Sequence, residues 1–188
     1  KTIVGKGDFV LRVKVCGLAT IEQVEWAIDL GYDAIGVVVT TRSKRYCPLE
    51  DARNIAKYAK GKIESFAVAY TEDEVAQIRD DFDIIQLYSP ANINNLAYSS
   101  GNPPPESLNC KYFFYDQSIG SGVYSDIPDW VKHVHHRLYI AGGLNTENVR
   151  NVIERFNPFG VDVSSAVETS PLVKCREKME RFIRADKY

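Results

Sequence analysis

The sequence predicts an α/β chain folded as a (β/α)8 barrel, a TIM barrel, on three observations. Short apolar runs alternate with amphipathic segments along most of the 188 residues, the pattern of repeated βα units. No Gly-x-Gly-x-x-Gly follows the first run and no Walker sequence occurs, so the usual phosphate signatures of a doubly wound sheet are missing. The runs are short, with short connections at regular spacing, which favours a barrel. Several of them end in a reactive residue or a Gly/Ser pair: Cys16-Gly17, Asp116 ahead of Gly120-Ser121-Gly122, Gly142-Gly143, and Asp162 ahead of Ser164-Ser165. Such residues at the carboxyl ends of parallel strands point to one site on that face.

Residues 12–16 read as the first strand. Thr20-Ile21-Glu22-Gln23 is a capping-box pattern that opens a helix, with Val24, Ala27 and Ile28 on one face and Gly31 at its end. Residues 34–39 are almost wholly apolar, as in a strand buried on both faces. Pro48 suits a first helical turn. Leu49, Ala52, Ile55, Ala56 and Ala59 then follow helical spacing as far as Gly61. Residues 66–70 form the next strand, Thr71-Glu72-Asp73-Glu74 a second capping box leading Val75 and Ile78, and residues 84–87 a fourth strand. Residues 112–115 are strand again and residues 129–135 a short helix. Strand 138–141, helix 146–156 and strand 161–163 follow. The last helix spans residues 174–185, with Cys175, Met179, Phe182 and Ile183 inward.

These are seven strands, and the stretch between Gln86 and Asp116 is weakly patterned and proline-rich. A full barrel needs a helix, a strand and another helix there. Residues 95–99 supply a short fifth strand only if both flanking helices nearly vanish. Two readings stay open: a barrel abbreviated around its fifth βα unit, or a chain lacking residues here.

The whole chain, residues 1–188, is expected to form one domain, with residues 1–10 as an N-terminal extension. An apolar fraction of 45% and a charged fraction of 26% are those of a soluble globular protein. A net charge of −2, with no basic block or basic-aromatic stripe, gives no reason to expect nucleic acid. No apolar run approaches a membrane span, and the first residues lack a signal-peptide stretch. Cys16, Cys47, Cys110 and Cys175 have no CxxC or zinc-finger spacing. They read as reduced thiols of a cytoplasmic protein. His133, His135 and His136 lack the companions of a metal site and read as a solvated loop.

Six motifs, in order, carry a family resemblance: Lys14-Val15-Cys16-Gly17-Leu18; Ser43-Lys44-Arg45-Tyr46; Gln86-Leu87; Asp116 before Gly120-Ser121-Gly122; Ala141-Gly142-Gly143-Leu144-Asn145 with Glu147-Asn148-Val149; and Val161-Asp162-Val163-Ser164-Ser165 with Val167-Glu168. Together they closely resemble the phosphoribosylanthranilate isomerases, (β/α)8 enzymes of tryptophan biosynthesis. The resemblance implies an Amadori rearrangement of N-(5-phosphoribosyl)anthranilate. In it Cys16 is the general base at C2, Asp116 the general acid at the ring oxygen, and Arg45 and Asp162 contact substrate. It implies a phosphorylated small-molecule substrate, no metal or organic cofactor, and a monomer or homodimer.

The residues fit these roles. An aldose–ketose shift needs one proton donated to oxygen and one removed from carbon, by groups of opposite initial protonation. A thiol acts near neutral pH only if its pKa falls from about 8.5. Lys14, two residues back, shares the strand face of Cys16. Asp116 must keep its proton, so desolvation or a neighbouring negative charge is expected. Gly142-Gly143 and Ser164-Ser165-Ala166 lie where barrels commonly grip phosphate, in the loops after the last two strands. Gly120 and Gly122 suit a mobile loop over the site.

Each residue has a plainer reading. A lone Cys at a strand end is more often packing than chemistry, and Cys47, Cys110 and Cys175 are read that way. Asp116 alone is a turn former, Arg45 one of a solvated cluster and Gly142-Gly143 a turn. An inward Asp162 needs a partner or a ligand. The chain departs from the family at Tyr88-Ser89, where His-Gly is usual, and at Ala166, where Gly is usual. If residue 166 needs φ > 0, Ala costs on the order of 1 kcal/mol there. Two further hypotheses follow. One is a related phosphate-binding barrel acting on another phosphoribosyl amine, with its difference at Tyr88-Ser89. The other is a non-catalytic barrel, against which the presence of both Cys16 and Asp116 argues.

Overall fold

The computed structural model describes residues 10–119, 121 and 124–185. Eight parallel strands close into a barrel in sequence order: β1 (Arg12–Cys16), β2 (Ala34–Val38), β3 (Glu64–Ala69), β4 (Ile84–Leu87), β5 (Leu96–Ser100), β6 (Tyr112–Tyr115), β7 (Leu138–Ile140) and β8 (Gly160–Val163). Closure comes from β8 pairing with β1, in a register that sets Lys14 opposite Asp162. The expected extension falls mostly on residues 1–9, and the hinge glycines Gly120 and Gly122 also lie outside the described residues.

Four α-helices are described: α1 (Ile21–Leu30) after β1, α2 (Leu49–Ala59) after β2, α3 (Val149–Phe156) after β7, and α4 (Arg176–Ala185) after β8. The Thr20 hydroxyl accepts from the Gln23 amide, and the Gln23 side chain returns to the Ala19 amide. The box therefore closes one residue earlier than its pattern implies. Gly31 ends α1 in the left-handed conformation at φ 81°.

The weak middle is the fifth unit in abbreviated form. β5 is present, with only loops on either side of it. Three further expectations need correction. The second capping box forms, with Glu74 accepting from the Thr71 amide, but it opens a 3-10 turn (Glu72–Val75) rather than an α-helix. Val75, in this turn, and Ile78, just after it, are the only apolar side chains buried before Asp80-Asp81, too few for the apolar stripe of an α-helix. Residues 129–133 likewise form a 3-10 turn (Asp129–His133). Cys175 precedes α4 and is half-buried, its sulfur 3.1 Å from a Glu177 carboxylate oxygen, while Met179, Phe182 and Ile183 face inward.

The strands bury both faces. Outward side chains such as Val15, Ile35, Ala67 and Val163 join the core under the helices. Inward ones fill the barrel in layers. Tyr112, Phe114, Tyr139 and Phe66 form an aromatic plug, in which Phe114 and Tyr139 stack at 4.5 Å and 5°. Lys14 stands over it, with its ammonium 5.1 Å from the Phe114 ring and 5.2 Å from that of Phe66. Cys16 is one step further toward the carboxyl ends.

Candidate active site

A cavity of about 480 Å³ opens at the carboxyl ends of the strands. Cys16 enters it from the end of β1, Arg45 from the loop after β2, Gln86 from β4, Tyr88 from the loop after β4, Asp116 from the end of β6, and Asp162 from β8. Gly142, Gly143, Ser164 and Ser165 line the same space. Sequence-distant residues thus converge because each lies at the same end of a parallel strand.

The base of the cavity is charged. The Lys14 ammonium donates to Asp162 Oδ1 at 3.1 Å, and Lys14 is wholly buried. This is the partner an inward Asp162 requires. Burial opposes the charge of Lys14, but Asp162 and Cys16 outweigh it and hold the ammonium above its ordinary range. Burial pushes the Asp162 carboxyl up, resisted by Lys14 and reinforced by Asp116. Burial also pushes the Cys16 thiol up, against the pull of Lys14 and Lys174. Two cations therefore face the thiol, yet the site as it stands keeps it protonated, opposite to the lowered value expected of a resting base.

Gly36, register partner of Cys16 on β2, makes room for these groups. A Cβ there would lie 2.7 Å from the Cys16 sulfur and 3.0 Å from the Lys14 nitrogen. It is a site residue hidden inside an apolar run.

Asp116 is held at both oxygens. Oδ1 accepts from the Ser118 amide at 3.0 Å and the Ser118 hydroxyl at 2.7 Å, and Oδ2 accepts from the Tyr88 hydroxyl at 2.7 Å. Gly142, at φ 88°, lies against it, since a Cβ there would fall 2.9 Å from Oδ1. Gln86 donates through Nε2 to Ser99, while its buried Oε1 has no partner among the described residues.

Arg45 lines the cavity, but its guanidinium is clamped on Glu168, with Nε at 2.8 and 3.0 Å and Nη2 at 2.8 Å from the carboxylate. Lys174 donates to the same carboxylate at 2.7 Å. Burial works against the Glu168 charge, yet Arg45 and Lys174 hold its carboxyl below the ordinary range. Burial in turn pulls the Lys174 ammonium down while Glu168 resists. The Ser164 hydroxyl donates to the Cys16 carbonyl at 2.9 Å and ties the end of β8 to that of β1. A second hollow of about 380 Å³, lined by Gly143, Leu144, Asn145, Thr146, Glu147, Ser165 and Ala166, adjoins the loops after β7 and β8. Among the described residues, no group of three His, Cys, Asp or Glu side chains is arranged to hold a metal ion. No described helix is long and apolar enough to cross a membrane.

The expected residues Cys16, Arg45, Asp116, Asp162, Gly142, Gly143, Ser164 and Ser165 thus meet at one cavity, and Ala166 lines the adjoining hollow. Gly36, Ser118 and Lys174 are parts of the site that the sequence does not single out. Glu168 shows there only as the end of the Val167-Glu168 motif, and Lys14, Gln86 and Tyr88 through strand-face parity, the Gln86-Leu87 motif and the departure from the family.

The chain is 33% identical over 196 aligned positions to the N-(5'-phosphoribosyl)anthranilate isomerase of Streptococcus pneumoniae, an alignment covering 94% of this chain and 96% of the relative. The chain belongs to the N-(5'-phosphoribosyl)anthranilate isomerase family. Residues 106–185 match that family's N-(5'phosphoribosyl)anthranilate (PRA) isomerase profile. Among solved isomerases, monomers generated from the dimeric phosphoribosylanthranilate isomerase of Thermotoga maritima superpose with a TM-score of 0.77 at 27% identity, covering 94% of this chain and 98% of that one. A phosphoribosylanthranilate isomerase in complex with reduced 1-(o-carboxyphenylamino)-1-deoxyribulose 5-phosphate superposes with a TM-score of 0.75 at 25% identity, again over 94% and 98%. Within this isomerase family frame, Ala166 is not among the described residues at positive φ, which are Ile119, Asn157 and Leu172 besides glycines. The cost of Ala at a left-handed position does not arise there.

Proposed function

We propose that this chain converts N-(5-phosphoribosyl)anthranilate to 1-(2-carboxyphenylamino)-1-deoxyribulose 5-phosphate in the cytoplasm, by acid–base catalysis without a cofactor. The observation that carries the reading is that Cys16 and Asp116, one thiol and one carboxyl, face a single cavity from different strands. The four described cysteines are all free thiols, which supports a reducing compartment.

Asp116 gives a proton to the furanose ring oxygen as the C1–O bond breaks. The substrate nitrogen lone pair forms the C=N bond of an iminium. Cys16, ionised to the thiolate by loss of its own proton to solvent, then takes the C2 proton, whose electron pair relieves the iminium and leaves an enol-amine. Tautomerisation of the enol-amine gives the ketone. The iminium is positive and lies beside Cys16, so it adds to Lys14 and Lys174 in favouring the thiolate when it is needed. Arg45 and Asp162 border the substrate. Gly142, Gly143, Ser164, Ser165 and Ala166 border the phosphate, with backbone amides as donors, because the Ser164 hydroxyl is already committed to the Cys16 carbonyl.

The test is the fluorescence decay of phosphoribosylanthranilate made in situ. Wild type should turn over, and Cys16→Ala and Asp116→Asn should each lose roughly 100-fold or more. Because the Cys16 thiol is pushed up, wild-type kcat/KM should rise with pH into the alkaline range, and that limb should vanish in Cys16→Ala. A folded wild type with no turnover would defeat the reading in favour of another phosphoribosyl amine.

A further inference from the structure

Tyr88 has no assigned role, and its position gives it one. Its hydroxyl donates to Asp116 Oδ2 at 2.7 Å. Its ring packs on Tyr70 with centroids 5.3 Å apart, and the Arg42 guanidinium sits 5.2 Å from the Tyr70 ring. The phenol is therefore held from behind by an aromatic and a cation, with its hydroxyl aimed at the carboxyl.

A carboxyl group has about four lone-pair directions, two on each oxygen. At Asp116 the Oδ1 pair is filled by the Ser118 amide and hydroxyl. Gly142 closes in on the same oxygen. Among the described residues Oδ2 accepts from Tyr88 alone. One direction on Oδ2 thus remains for a proton to be passed to substrate. We propose that Tyr88 is the positioning residue of Asp116, fixing Oδ2 as the oxygen that delivers the proton. The proposal rests on the isomerase reading for the identity of the acceptor atom.

The same contact stabilises the product of proton transfer. When Oδ2 gives up its proton, the bond from Tyr88 becomes charge-assisted and strengthens. It is therefore worth more in the transition state than in the ground state. Burial and Asp116 together push the Tyr88 hydroxyl well above its ordinary range, so it stays a donor throughout the working pH range.

Tyr88→Phe removes the hydroxyl and keeps the ring on Tyr70. With wild type turning over phosphoribosylanthranilate, this variant should lose roughly 10- to 100-fold in kcat, with KM and product affinity within about 2-fold. The double variant Tyr88→Phe/Asp116→Asn should be no slower than Asp116→Asn alone, because the hydroxyl acts only through the carboxyl. An unchanged kcat, a loss confined to KM, or a double variant slower by the full single-variant factor would overturn the proposal. A silent wild type would defeat the isomerase reading instead. The contact is then tested by thermal unfolding of the same four proteins. Tm shifts that fail to add support it, and shifts that add overturn it.

Discussion

The barrel is clad differently on its two sides. After β1, β2, β7 and β8 the chain forms α-helices, whereas after β3, β4, β5 and β6 the described residues form only 3-10 turns and loops. The strand ladder closes regardless, so the backbone hydrogen bonds of the barrel do not depend on a complete helical ring. What the helices supply is cover for outward-facing side chains. On the sparse side aromatic bulk replaces them: Trp130 packs edge-on to Tyr115 at 5.6 Å and against Phe113 at 6.4 Å, and Phe113 meets Tyr98 at 6.1 Å. A single aromatic buries 150–250 Å², so a few rings cover what a short helix would. The chemistry is split along the same line. Cys16, Asp162 and the loops after β7 and β8 come from the clad side, while Gln86, Tyr88 and Asp116 come from the sparse side.

The largest expected effect lies on the clad side. Glu168→Ala removes the one carboxylate that two buried cations, Arg45 and Lys174, share. Breaking a buried ionic group in this way costs about 3–5 kcal/mol, read as a fall in the urea midpoint at unchanged m. The exposed Arg79–Glu72 pair on the sparse side should cost no more than about 0.5 kcal/mol when broken. pH separates the two pairs further. The Glu168 carboxyl is held below its ordinary value of 4.5. Its contribution is therefore complete above that pH and is lost as pH falls through the lower, folded value. A flat acid profile in wild type, identical to that of Glu168→Ala, would refute the assignment.

On the sparse side the comparable change is Trp130→Ala. Trp130 is half-buried, so the loss should sit near the lower end for large aromatics, about 3 kcal/mol. Amide exchange should show where it acts: β5 and β6 lose protection in the variant while β1 and β8 keep theirs. Equal loss all round the barrel would mean that the two sides unfold as one unit and that the difference in cladding has no energetic consequence.

The sequence makes the two sides unequally legible, for the same reason. Helical periodicity announces α1, α2 and α4, and strand ends announce Cys16, Asp116, Asp162 and Gly142-Gly143. On the sparse side there is no periodicity to read, because a loop that covers its strands with two or three rings leaves no repeating pattern. β5 is visible only as residues 95–99 with nothing around them. The polar contacts are hidden by distance along the chain: Lys14 meets Asp162 across 148 positions and Arg45 meets Glu168 across 123. Strand parity shows that Lys14 faces inward, but only barrel closure in the β1–β8 register supplies its partner. Tyr88 stands out in the sequence as a departure from the family, yet its bond to Asp116 depends on β4 and β6 standing on either side of β5.

A small gain is expected as well, again on the clad side. Antiparallel strands β9 (Glu168–Ser170) and β10 (Val173–Lys174) carry the Glu168–Lys174 pair and are joined by Pro171-Leu172. Pro at the first central position and φ 69° at Leu172 in the second are the demands of a type II turn, which favours Gly at that place. A left-handed side-chain-bearing residue costs about 1–2 kcal/mol. Gly returns part of that gain as unfolded-chain entropy, about 0.5–1 kcal/mol. The carbonyl of residue 172, which accepts from Gln23 Nε2 at 2.8 Å, is kept. Leu172→Gly should therefore stabilise by about 0.5–1 kcal/mol, a rise of roughly 1–4 °C in Tm for a chain of this size, with kcat unchanged. A fall in Tm would mean that the half-buried Leu172 side chain contributes more by packing than its backbone costs. The hairpin would then owe its place against α1 to that contact as well as to the Gln23 bond.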